Sequence, residues 1–182
     1  MERSIGLIEL SSVAAGYLVA DTMLKAGNVR LLLSRSICSG KYMVLVGGET
    51  AAVTAAVQAG AEAAEGALVD QLVIPNVHSE VFEALGRTQV PQPNGALGIL
   101  ESFHVASLIR AADAAAKAAA VQLLEIRLAM ALGGKAFCTM TGDVGSVQSS
   151  LTAGREILQQ SGSLVNWVLI PRPHPDVYRE LI

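Results

Sequence analysis

The chain has 182 residues and a mass of 18.9 kDa, room for one large domain or two of about 90 residues each. Thirteen lysines and arginines against sixteen aspartates and glutamates leave a net charge of −3, so a phosphate backbone finds no basic field here. Only 16% of residues are charged, against about 25% in an average globular chain, yet charges still interrupt every apolar run short of the roughly 18 residues a spanning helix needs.

Those interruptions are Asp21, Lys25, Arg30 and Arg35 in the first half and Asp113, Lys117, Glu125 and Arg127 in the second. A chain this apolar that does not span a membrane is expected to hide surface against other chains. Met1–Ile5 has no signal-peptide pattern, and Cys38 and Cys138 cannot build a disulfide framework. The expectation is a cytosolic protein that assembles and binds neither nucleic acid nor membrane.

In chain order, an apolar strand from Ile5 to Leu10 leads into a serine-capped helix from Ser12 to Ala26. Val13, Tyr17, Ala20 and Leu24 fall at helical spacing and mark its expected buried face. A strand from Arg30 to Ile37, a tight turn at Ser39-Gly40 and a strand from Tyr42 to Val46 follow. An alanine-rich helix (Glu49 to Ala64), a strand (Leu68 to Ile74) and a short helix after Pro75 complete the half.

The series then begins again. Ile5-Gly6-Leu7-Ile8-Glu9 returns as Leu97-Gly98-Ile99-Leu100-Glu101, and Asp21 and Lys25 return as Asp113 and Lys117, all at an offset of 92. Gly40-Lys41 matches Gly134-Lys135 at 94, and Ile74-Pro75-x-x-His78 matches Ile170-Pro171-x-x-His174 at 96. Each shift adds two residues, which in or beside a strand preserves the buried side. In the second half Leu124, Ile126, Leu128 and Met130 alternate with Glu125, Arg127 and Ala129, as a strand requires. The helix face repeats as Val105, Ile109, Ala112 and Ala116. The chain is a tandem duplication with expected domains at 1–90 and 95–182, joined by the turn-rich Val90-Pro91-Gln92-Pro93-Asn94-Gly95. The βαββαβα order, used twice, predicts α/β (α+β) domains of ferredoxin-like form.

The repeated Gly-x-x-Glu, Asp-x-x-x-Lys, Gly-Lys, Gly-Asp or Gly-Glu, and Ile-Pro-x-x-His resemble the bacterial microcompartment shell proteins, in their tandem-domain, trimer-forming class. The resemblance covers nearly the whole chain and implies two microcompartment domains per chain. It further implies a pseudohexameric homotrimer that tiles with other shell proteins into the shell of a cytoplasmic compartment. It implies no enzymatic activity. Lys25, Asn28, Lys117 and Arg172 correspond to the disc-edge residues of that class. Ala120 replaces Asn28 in the second repeat and Asn76 replaces Arg172 in the first, so each half keeps part of the edge set.

The informative divergence is Ile37-Cys38-Ser39-Gly40-Lys41 against Ala131-Leu132-Gly133-Gly134-Lys135. In the family this loop surrounds the central pore, lined here by Ser39, Gly40, Lys41, Leu132, Gly133 and Gly134. A threefold axis would gather three Cys38 thiolates, and a [4Fe–4S] cubane has a threefold axis of its own. The resemblance extends to tandem members whose first-repeat pore cysteine carries such a cluster. It implies one oxygen-sensitive [4Fe–4S] cluster per trimer for electron transfer or redox sensing, with an encapsulated or cytosolic redox enzyme as partner. Lys41 is expected to favour the thiolate. The alternative is a purely structural or transport tile with an open pore, in which Cys38 is incidental.

Cys138 matches Val44 and reads as a small hydrophobe. His78 and His174 are repeat equivalents and read as shared caps or packing contacts. His104, in the place of Ser12, reads as a local cap or surface residue. None has the partners of a catalytic triad. The glycine pairs Gly47-Gly48 and Gly133-Gly134 lack phosphate-loop spacing and read as turns.

Overall fold

A computed structural model of the chain describes residues 4–86, 88–89 and 95–179. It divides into two compact units, Met1–Val77 with Ala129–Gly134, and His78–Leu128 with Lys135–Ile182. The expected joining turn lies outside the described residues apart from Gly95.

The first unit contains β1 (Ser4–Leu10), α1 (Val13–Ala26), β2 (Arg30–Ile37), β3 (Lys41–Gly48), α2 (Thr50–Ala63) and β4 (Leu68–Ile74). Its strands form an antiparallel sheet in the order β2-β3-β1-β4, the ferredoxin-like arrangement. All seven residues of β1 are buried, as its near-continuous apolar run and central place in the sheet require. The helix α2 lies close over β1 because Gly6 has no side chain. A Cβ there would stand 2.5 Å from Val57 and 2.7 Å from Val53, inside van der Waals contact. Gly98 does the same in the second unit against Val147, which explains why this glycine is repeated.

The second unit contains α3 (Ser79–Gly86), β5 (Ala96–Ser102), α4 (Val105–Ala118), β6 (Gln122–Leu128), β7 (Ala136–Gly142), α5 (Val144–Gln160), β8 (Leu164–Ile170) and α6 (Pro175–Arg179). Its sheet has the equivalent order β6-β7-β5-β8.

Three sequence expectations need correction. The repeats do not coincide with the compact units, because α3 is encoded at the end of the first repeat but packs on α4 and β6. There Glu80 accepts a hydrogen bond from the Leu123 amide (2.9 Å), and Asp113 accepts one from the His78 amide (2.8 Å). Second, the buried face of α1 is Gly16, Val19, Ala20 and Met23. Val13, Tyr17 and Leu24 are exposed. The helix turns its glycine inward because the Tyr42 ring fills that space, 2.2 Å from where a Gly16 Cβ would sit. Third, β6 stops at Leu128, so the alternation fails at its end: Ala129 is buried and Met130 is exposed. The first two-residue insertion therefore lies in the turn after β6. The second falls around α5, which has 17 residues against 14 in α2. Neither lies within a strand.

Candidate functional site

The repeated motifs form partnerships. Lys41 is ion-paired with Glu9, whose side chain is fully buried, and Lys135 pairs with Glu101 at 2.6 Å. The glutamate of Gly-x-x-Glu and the lysine of Gly-Lys are thus one device, which ties the first strand of each repeat to the start of its third. Removing the cation paired with a buried carboxylate costs about 3–5 kcal/mol in comparable pairs. The Asp-x-x-x-Lys motif is an i,i+4 ion pair on each helix, Asp21–Lys25 at 2.6 Å and Asp113–Lys117 at 2.5 Å. In the Ile-Pro-x-x-His motif the ring Nδ1 of His78 accepts from the Glu80 amide, and that of His174 from the Asp176 amide, both at 3.3 Å. Both histidines therefore act as the shared caps expected from their duplication. Asp143 caps α5 by accepting from the Ser146 hydroxyl and amide, and those bonds hold its carboxyl below the ordinary range. Glu49 makes no equivalent side-chain cap.

His104 precedes α4 without a side-chain capping bond; its amide donates to Ser102 Oγ instead. Cys138 is fully buried in β7, and burial followed by the charge of Glu125 pushes its thiol up to about 12. That is the environment of an inert packing residue.

Cys38 is placed differently. It opens a tight turn, Cys38–Gly40, in which Ser39 and Gly40 have φ of 65° and 72°. Its amide donates to the Ala129 carbonyl at 2.9 Å, which brings the 129–134 turn over it. That turn contains left-handed residues at Ala129, Ala131, Gly133 and Gly134. Left-handed residues interspersed with ordinary ones in a turn aim neighbouring backbone N–H groups toward one concave side, a nest that attracts anions. Here the anion would be sulfur. The Leu132 amide contributes most to lowering the Cys38 pKa; burial opposes it, and the amides of Gly134, Ala131 and Gly133 add to the lowering. Ser39, Lys41 and Gly134 also meet here, with the Gly134 Cβ position 3.4 Å from Ser39 Oγ and 3.7 Å from Lys41 Cε.

The sequence expectation that Lys41 favours the thiolate is therefore corrected: its ammonium is committed to Glu9, and backbone amides do the work. Sequence reasoning missed those amides and the Ala129 carbonyl. The change of offset from 92 to 94 was the signal for them, since the two added residues are what lengthen this turn.

Among the described residues, none of the disc-edge candidates is bonded to Cys38. Lys25, Asn28, Lys117 and Arg172 are all exposed, Lys25 and Lys117 at the ends of their helices. Among the described residues, no group of three or more His, Cys, Asp or Glu is placed to hold a metal within one chain. No described helix is long and apolar enough to cross a membrane.

Comparison with known proteins agrees with this architecture. The family described as the BMC domain matches residues 4–77 and 96–173. The bacterial microcompartment shell protein PduT of Citrobacter freundii is 40% identical over 182 residues, spanning 100% of this chain and 99% of that protein. The carboxysome shell protein CsoS1C of Halothiobacillus neapolitanus is 44% identical over 85 residues, which cover 45% of this chain and 87% of that one. A crystal structure of a microcompartment protein from Desulfitobacterium hafniense DCB superimposes with a TM-score of 0.88 at 48% identity, over 97% of this chain and 98% of that one. A duplicated ferredoxin-like chain matched twice by one family, and end to end by its tandem members, belongs to the BMC-domain family of bacterial microcompartment shell proteins.

Proposed function

We propose that the chain is the repeating unit of a homotrimeric, pseudohexagonal shell tile, and that three Cys38 thiolates gathered at its axis hold one [4Fe–4S] cluster for electron transfer or redox sensing across the shell. The observation that carries this reading is the place of Cys38, half-exposed at the head of the tight turn Cys38–Gly40 and tied through its amide to the 129–134 turn. A thiolate is the form that ligates iron, and N–H groups at a ligating sulfur tune such centres. Cys38 is half-exposed, so its sulfur can be reached from outside the chain. One thiol per chain fits a cubane only if symmetry supplies the other two, which ties the cluster to the trimer. Other shell proteins are the tile's lateral partners, and a redox enzyme inside the shell or in the cytosol exchanges electrons with it.

Anaerobic purification followed by reconstitution with iron and sulfide tests the reading. Wild-type protein is expected to take up about four irons per three chains and to absorb broadly near about 400 nm. Cys38→Ala is expected to lose both, and Cys138→Ala neither. If wild type binds no more iron than Cys38→Ala, the cluster is excluded and the protein is a structural or transport tile.

A further inference from the structure

The groove between the second helix and the last strand of the sheet is filled in one repeat and open in the other. In the second unit Trp167 of β8 meets Arg155 of α5, whose guanidinium lies over the indole with Cζ 5.0 Å from the ring centroid. In the first unit the corresponding positions carry Gln71 and Ala61, at offsets of 96 and 94. Structure and numbering agree on this equivalence. Gln71 pairs in register with Ile8, as Trp167 does with Leu100. Gly60 lies close against Ile8, as Gly154 does against Leu100.

The two shorter side chains leave a groove of about 450 Å³ between α2 and β4, within the roughly 300–1,000 Å³ of small-ligand sites. Its floor is apolar, with Val57 buried and Val73 half-buried, where the second unit has Leu151 and Leu169. Its rim is exposed and polar, formed by Gln58, Glu62 and Gln71. The Gln58 side-chain amide donates to Glu62 Oε1 at 3.3 Å, which steadies the carboxylate at the edge. Among the described residues lining the groove, Glu62 is the one charged group. A cation is therefore favoured there, and a phosphate group finds no positive partner.

We infer that this groove binds a small aromatic amine, its flat ring in the place that Trp167 takes in the duplicate and its cationic group beside Glu62. The duplicate carries the choice of ligand, because an indole under a guanidinium is an aromatic ring joined to a cation. The ring covers the apolar floor, and Glu62 balances the charge. An aromatic carboxylate of the same shape meets repulsion from Glu62, and a nucleotide cofactor is disfavoured by its phosphates. Groove and ligand belong to the first unit alone, so they stand or fall independently of the cluster and of the tile.

Tryptamine, an indole bearing one ammonium, is the probe, and indoleacetate is its anionic counterpart. In methyl NMR titrations of the wild type, tryptamine is expected to shift the Val57 and Val73 methyls with a Kd of about 1 mM, ordinary for a ligand of that size. Indoleacetate is expected to bind about tenfold more weakly, and Glu62→Gln to narrow that difference to about threefold or less, the scale of an exposed charge pair. Gln71→Trp with Ala61→Arg rebuilds the filled groove of the second unit and is expected to abolish the response. Circular dichroism checks the fold, and Gln71→Trp alone replaces the pair should the pair lose it. The assignment is overturned if the two methyls stay still up to about 10 mM tryptamine, tenfold above that Kd. It is equally overturned if they respond as strongly in the filled variant, or as strongly to indoleacetate.

Discussion

The two thiols sit in opposite environments, and each has a measurable consequence. Cys38 lies under backbone amides that favour its charged form, while Cys138 lies where no water can solvate a thiolate. Raising the Cys138 pKa to about 12 means that the folded chain keeps this proton where the unfolded chain, with an ordinary value of about 8.5, releases it. The contribution is fully present below about pH 8.5 and is lost as pH rises toward 12. At pH 10 the loss amounts to about 2 kcal/mol relative to neutral pH, from roughly 1.5 pKa units at about 1.4 kcal/mol each. Cys138→Val installs the residue that the first repeat uses at Val44 and removes the titrating group. Urea unfolding at pH 7 and pH 10 is expected to show the wild type losing about that much more stability than Cys138→Val. An equal loss in both proteins would mean that Cys138 titrates normally.

At the scale of elements, α1 shows how far pattern reading reaches. Its ends and serine cap were legible, with Ser12 Oγ accepting from the Ala15 amide at 3.3 Å. Its rotation was not. The apolar stripe of Val13, Tyr17 and Leu24 has ordinary core spacing, but those residues serve an exposed face, and the core contact is made by Gly16, Val19, Ala20 and Met23. Periodicity reports that a face is apolar without saying whether its partner is the same chain. The direction of α1 is instead set by Tyr42, which occupies the space beside Gly16. Gly16→Ala would gain about 1 kcal/mol of helix propensity, yet its methyl would overlap the ring, a cost of about 1–3 kcal/mol. The expected net result is a lower urea midpoint with an unchanged slope. A raised midpoint would mean that Tyr42 has room to move.

The same distinction governs the site. Repeated residues were legible because duplication prints each motif twice, and their pairings follow: Glu9 with Lys41, Asp21 with Lys25, His78 with the amide two residues on. The nest around Cys38 was not legible, since its donors are main-chain amides whose direction depends on φ values. Nothing in Ala129-Met130-Ala131 as a string announces left-handed backbone, which alanine adopts only at some cost.

For the whole molecule, the proposed tile gives the low charge and the open α1 face one explanation, surfaces covered by other chains, and Lys25 tests how the tile is covered. Its side chain is 74% exposed and bound to Asp21 across one helical turn. An exposed pair of this kind contributes only about 0.3–0.5 kcal/mol to its helix, so its removal costs the tile little. The resemblance to disc-edge lysines implies for Lys25 a place at the outer rim of the proposed tile, and a substitution tests it. Lys25→Ala is therefore expected to leave a particle of three times 18.9 kDa in light scattering while abolishing the sheets or tubes that the wild type is expected to form in electron micrographs. Sheets that persist in Lys25→Ala would remove the residue from the rim, and loss of the trimer would mean that it serves the trimer itself.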